Sequence, residues 1–168
     1  MNFDEVYKIM DEAFPDSEMR TYNDQRELLK NERYHIYEEH DEKGNLVGFL
    51  AYWKLDNCTF FEHLAVSSKL RGKGLGKNII LKNIKNVKLP IFFEVELPTT
   101  VNAKRRIAFY ERLGCHLNNF YYEQPPLRKN EKVQQLLIMS YPNPISDKAF
   151  AKYKKEIYTN VYKISLWK

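Results

Sequence analysis

Three alternating glycines set among cations, Arg71-Gly72-Lys73-Gly74-Leu75-Gly76-Lys77, are the sharpest chemical feature of this 168-residue sequence. The run follows a predicted strand ending at Val66 and leads into a helix predicted from Lys77 to Val87. At such a junction the unpaired N–H groups and the dipole of the helix favour an anion. Glycines let the backbone approach a phosphate closely, and Arg71, Lys73 and Lys77 add positive charge. Two known phosphate loops fail on spacing. A Walker-type loop needs glycine five residues before its Gly-Lys and a hydroxyl residue after it, where Arg71 and Asn78 stand. The dinucleotide fingerprint is Gly-x-Gly-x-x-Gly at the first strand of a repeated βαβ fold, whereas this run is Gly-x-Gly-x-Gly after a later strand. The bland alternative is a flexible turn. Placing three of the chain's six glycines within five positions argues against it.

The elements that must hold this loop follow from periodicity. Phe3, Val6, Ile9, Met10 and Ala13 recur at helical spacing, and Pro15 stops the run. Thr21 and Asp24 resemble a capping box that opens a second helix ending near Lys30. Tyr34–His40 and Leu46–Trp53 read as a hairpin around Asp41–Asn45, and Thr59–Val66 as a third strand. Ile79, Ile80, Ile84 and Val87 share one face of the helix after the loop. Ile91–Leu97 is a short strand, Asn102–Leu113 a helix closed by Gly114, and His116–Tyr122 and Gln134–Ser140 are two late strands. A last helix opens at Ser146 with Phe150, Tyr153, Ile157 and Val161 as its buried stripe. This order predicts an α/β fold with a central mixed, mostly antiparallel sheet flanked by helices and a C-terminal helix.

Composition narrows the class. The chain is 43% hydrophobic and 29% charged, which excludes a disordered or collagenous protein. With no linker or repeat, one domain over residues 1–168 is expected. No stretch approaches the ~20 apolar residues of a membrane span. Met1–Glu5 is acidic where a signal peptide is basic and then apolar, so a cytoplasmic location is expected, with no membrane partner. The net charge of +5 suits a small anionic ligand. Lys148, Lys152, Lys154 and Lys155 alternate with apolar residues as the wet face of a helix, so no nucleic-acid partner is expected. Cys58 and Cys115 are too few for a disulfide framework or zinc site, and His35, His40, His63 and His116 show no ligand or triad spacing.

The run Arg71–Gly76 resembles the Q/R-x-x-G-x-G/A signature of the Gcn5-related N-acetyltransferase (GNAT) superfamily. The resemblance continues through Phe92-Phe93-Glu94-Val95-Glu96 and Phe109-Tyr110-Glu111-Arg112-Leu113-Gly114-Cys115, spanning about residues 59–116. It implies an acetyl-coenzyme A-dependent N-acetyltransferase acting on a primary amine by direct attack in a ternary complex, without a metal. Backbone groups of Leu64, Ala65 and Val66 would pair with the pantetheine arm, with N–H groups near Val66 facing the oxyanion. Those of Gly72, Lys73, Gly74, Leu75, Gly76 and Lys77, beside Arg71, would cradle the pyrophosphate. Tyr110 would protonate the leaving thiolate. Family members often carry asparagine seven residues before this tyrosine. Here Ala103 stands there and Asn102 lies about 100° round the helix, as a weaker coenzyme contact.

An ammonium must lose a proton before it can attack. Glu94 is the first candidate base, because burial in an apolar strand raises a carboxyl pKa. Glu62 alternates onto the same side as Leu64 and Val66 and is the second. Glu96 shares the face of Glu94 and suits a cationic substrate, while His63 alternates away from Glu62. Each glutamate has the rival reading of a solvated residue beside the sheet, and Tyr110 that of core packing. Tyr121–Pro126 reads as a wall of the acceptor pocket or as an exposed strand end. The alternative function is a non-catalytic acyl-CoA sensor of the same fold, and the chain is expected as a monomer or homodimer.

Overall fold

The computed structural model describes residues 1–164. It contains helices α1 (Phe3–Ala13), α2 (Tyr22–Glu27), α3 (Leu75–Ile84), α4 (Val101–Arg112) and α5 (Asp147–Asn160). The strands are β1 (Tyr34–His40), β2 (Leu46–Lys54), β3 (Thr59–Val66), β4 (Ile91–Val95), β5 (His116–Gln124) and β6 (Gln134–Tyr141). The sheet is six-stranded and mixed, in the order β1-β2-β3-β4-β6-β5, with β1/β2, β4/β6 and β5/β6 antiparallel. The predicted α/β architecture with its C-terminal helix is therefore present.

Local chemistry explains most boundaries. Thr21 Oγ1 accepts from the Asp24 N–H at 3.3 Å, Thr100 Oγ1 from Ala103 N–H at 3.0 Å and Ser146 Oγ from Ala149 N–H at 3.2 Å. Each satisfies an N–H that a helix start leaves unpaired. Gly114 closes α4 at φ +91°, a left-handed conformation that costs other residues more. Several predicted boundaries shift. Beyond Glu27, α2 tightens into a 3-10 turn at Leu28–Lys30. The helix after the glycine loop begins at Leu75 rather than Lys77, because Gly74 takes the cap position at φ +77°. It also ends at Ile84, short of Val87. On its inner face Asn83 is buried, returning its side-chain N–H to the Ile79 carbonyl at 2.8 Å. Finally, β4 stops at Val95, and β5 runs on to Gln124 after a bulge between Asn118 and Tyr122.

The chain groups into two compact units. The first comprises residues 1–54, 61–86 and 127–131. Its core includes Val6, Met10, Phe49, Ala51, Trp53, Ile79 and Ile80. At Gly48 of β2 there is no room for a side chain: a Cβ there would stand 2.8 Å from Ile79 Cδ1 of α3 and 2.9 Å from the Ala65 carbonyl oxygen. The second unit comprises residues 55–60, 87–126 and 132–168. Phe60, Phe92, Tyr122, Ile138, Met139 and Ile157 fill its core, with Phe92 against Phe150 and Tyr153 of α5. The predicted stripe of α5 is buried at Tyr153, Ile157 and Val161, while Phe150 is half-buried and stacks on Phe120 at 4.2 Å.

Candidate active site

In the first unit, the glycine loop joins the end of β3 to α3. Ser67 anchors its start by donating to the Val47 carbonyl at 2.9 Å, and a 3-10 turn at Ser68–Leu70 follows. Gly72 and Gly74 both take positive φ, +80° and +77°. Nothing lies within 4 Å of where a Cβ would stand on either, so their backbone faces open space. The N–H groups that open α3 project beside them, and the first intrahelical bond runs from Asn78 to the Gly74 carbonyl. Arg71, Lys73 and Lys77 are exposed or half-exposed and form no salt bridge among the described residues. Backbone donors, open space and cations free of salt bridges, one of them Arg71 with its Nε on the Val66 carbonyl at 3.5 Å, fit a diphosphate.

The same unit buries a charge. Glu62 and Arg20 form an ion pair of 2.7 Å with side chains 3% and 8% exposed, and the Trp53 indole donates to the other Glu62 oxygen at 2.9 Å. Burial opposes the charge on Glu62. Arg20 and the Trp53 N–H outweigh it, so the carboxyl lies below the usual glutamate range. His63 bonds the Glu18 carbonyl through Nε2, while its Nδ1 stands 3.8 Å from Glu62, beyond hydrogen-bond distance. Burial holds the imidazole pKa down and keeps it neutral. The Arg20 backbone is itself held: its carbonyl accepts from Tyr7 at 3.2 Å and from Arg128 at 3.4 Å. Arg128 also donates to the Met19 carbonyl and pairs with Asp16.

Removing one partner of a buried pair leaves the other uncompensated, so Arg20→Met should cost about 3–5 kcal/mol at pH 7. The sign with pH is definite. The folded Glu62 pKa lies below its unfolded value of about 4.3, so the pair's contribution is complete above that value and is lost as pH falls through the folded pKa. In the variant the buried carboxylate gains by taking a proton. The stability gap in urea should therefore be widest at neutral pH and shrink on acidification.

In the second unit, β4 presents consecutive residues to opposite sides. Phe93 meets the Tyr110 ring of α4 at 4.6 Å, and Phe109 meets Tyr110 at 5.1 Å. Burial, partly opposed by Arg106, pushes the Tyr110 phenol up to about 12, so it keeps its proton across the neutral range. Glu94 faces the tyrosines of β5 and of α5 with its following turn. Its Oε1 accepts from the Tyr162 hydroxyl at 2.5 Å, and the Tyr162 oxygen accepts from Gln124 Nε2 at 3.2 Å. Tyr122 is fully buried, and burial together with the Glu94 charge raises its pKa strongly. Tyr158 donates to the Glu123 carbonyl, and burial and Glu94 push its phenol up to about 12. Tyr122 and Tyr158 are therefore neutral neighbours of Glu94.

The remaining sequence candidates are placed as follows. Leu64 and Val66 are half-buried and alternate with buried His63 and Ala65, on the side of Glu62. Asn102 is exposed in the first turn of α4, whereas Ala103 is buried. Glu96 lies past the end of β4, part-exposed, in an ion pair with Arg106 at 3.0 Å. Cys115 is buried, and burial pushes its thiol up to about 11. The Tyr121–Pro126 segment divides: Tyr121 is exposed, while Tyr122 and Gln124 turn inward. Periodicity did not single out Arg20, Trp53, Gln124 or Tyr162, because their partners lie on distant elements. The one local signal was Tyr158 and Tyr162, one helical turn apart beside the apolar stripe.

A family model described as the acetyltransferase (GNAT) family matches residues 3–115. The chain belongs to the GNAT acetyltransferase family. It is 30% identical over 166 residues, 96% of this chain and 84% of the relative, to YjbC of Bacillus subtilis (strain 168), which is named an acetyltransferase by inference. A structure from Bacteroides thetaiotaomicron, ascribed to the same family in the same way, superposes with a TM-score of 0.90 at 30% identity, over 97% of this chain and 93% of that one. An aminoglycoside 6'-N-acetyltransferase complexed with coenzyme A shares the fold, with a TM-score of 0.60 at 17% identity over 86% of this chain and 92% of its own. GNAT acetyltransferases take their acyl group from acetyl-coenzyme A. Among the described residues, no helix is long and apolar enough to cross a membrane.

Proposed function

We propose that this GNAT protein transfers the acetyl group of acetyl-coenzyme A to a primary amine. The observation that carries the reading is the loop at Gly72–Lys77, with two left-handed glycines, open space above them and Lys73 and Lys77 exposed around the start of α3. Backbone N–H groups from Gly72 to Lys77 bind the diphosphate, with Arg71 alongside, and the Leu64–Val66 backbone takes the pantetheine arm. Asn102 is a secondary coenzyme contact. The thioester supplies an acyl carbon already activated toward an amine.

Glu94 is the base that takes the ammonium proton. Glu62 was the other candidate, but both its oxygens are engaged, one by a fixed cation, and protonating it means giving up the Arg20 pair. An Arg-paired carboxylate is a weak base, whereas one beside neutral phenols keeps more basicity. Tyr110 offers its phenol proton to the departing sulfur.

Thermal unfolding with acetyl-coenzyme A at a hundred times its dissociation constant tests the donor. Binding to the folded state should add about 2.7 kcal/mol, a rise of several degrees in Tm. Gly74→Val forces a branched residue into the left-handed region and should abolish the rise. Thiol release with spermidine, kanamycin and an alanyl peptide then tests transfer. Binding without turnover would favour the acyl-CoA sensor, and no rise at all would overturn the reading.

A further inference from the structure

Tyr162 lies just beyond α5, 68 positions from Glu94, and its hydroxyl meets the carboxylate directly. The phenol is not free to rotate away, since Gln124 of β5 donates to the same oxygen. Gln124 is 8% exposed, in the stretch of β5 that follows the bulge. Alternation along β5 turns Asn118, Tyr122 and Gln124 inward, the last two beyond the bulge. The order along α5 and its end matches the order along β4. Phe150 and Tyr153 meet Phe92, and Tyr158 and Tyr162 follow at Glu94.

We propose that Tyr162, braced by Gln124, is a positioning residue for Glu94: its hydroxyl fixes one carboxylate oxygen and with it the direction in which the base presents itself. The inference rests on Glu94 being the base. A donor to the ionised carboxylate favours the charged form, so the same bond also sets where Glu94 titrates. The phenols facing Glu94 include Tyr122 from β5, Tyr158 from α5 and Tyr162 itself, and burial raises the pKa of the first two, which keeps them protonated at neutral pH.

The experiment follows Glu94 by carboxyl 13C NMR in the full chain without added ligand, the resonance being assigned by its loss in Glu94→Gln. In Tyr162→Phe, which keeps the ring and removes only the hydroxyl, the Glu94 midpoint should rise by about 1 pH unit. Gln124→Leu should move it the same way by less. Tyr22→Phe removes a phenol–carboxylate bond to Asp4 elsewhere in the chain and should leave it in place. With any acceptor that turns over, Tyr162→Phe should lower kcat about tenfold with KM held, and shift the acid limb upward with the NMR midpoint. An unchanged midpoint in Tyr162→Phe overturns the inference. A Glu94→Gln protein with wild-type kcat instead overturns the assignment of the base, whatever the midpoint does.

Discussion

Glu94→Gln should lower kcat by about 100-fold to 10,000-fold, the usual contribution of a positioned general base. Glutamine keeps the shape of the side chain and can still accept from the Tyr162 hydroxyl, so the loss reads the proton acceptor rather than the fold. The KM for acetyl-coenzyme A should stay within about twofold, because the loop residues are untouched. The pH profile supplies the sharper test. A base works only when deprotonated, so wild-type kcat should fall as pH drops through the Glu94 pKa, and the variant should lack that limb. If Glu94→Gln retained full turnover, the proton would have to go to Glu62 or to water.

Tyr110→Phe is the second large effect, and the Tyr110 pKa bounds it. A phenol pushed up to about 12 holds its proton at every pH of interest and is always ready to donate. An ordinary thiol titrates near 8.5, so complete transfer from such a phenol to a thiolate is uphill by about 3.5 units. In the proposed mechanism Tyr110 therefore contributes mainly as a hydrogen-bond donor to the developing charge. Such a bond is worth about 1.5–3 kcal/mol, or roughly 10-fold to 150-fold in kcat. Steady-state kinetics should show that loss with acetyl-coenzyme A binding unchanged, since Phe preserves the packing on Phe93 and Phe109. Equal turnover in the two proteins would remove Tyr110 from the mechanism. A loss much above a thousandfold would mean that the proton is fully transferred after all.

Much of this was legible along the chain because it is local. Helical spacing placed α1, the turn residues Asp41–Asn45 marked the hairpin of β1 and β2, and the hydroxyls of Thr21 and Ser146 marked two helix starts. The glycine loop was legible for the same reason, since left-handed backbone at Gly72 and Gly74 is a demand that residue type answers directly. The start of α3 was misplaced by two residues because a left-handed glycine can cap a helix as well as break one. Asn83 was passed over as a core residue because its back-bond to Ile79 satisfies it only once the helix exists.

The fates of the glutamates were decided elsewhere. From the sequence, Glu94 ranked first as a base, Glu62 second and Glu96 as a contact for a cationic substrate, each with the rival reading of a solvated residue beside the sheet. Tertiary structure gave Glu62 a cation from 42 positions away, Glu94 a phenol from 68 positions away and Glu96 an arginine on α4. A carboxylate's basicity depends on burial and on the charges within a few ångströms, and neither is a property of its neighbours in sequence. The sequence thus determined most of the elements, the glycine-rich loop and the family. Only the folded chain decided which glutamate is locked by a cation and which lies among neutral phenols, because long-range contacts set that electrostatics.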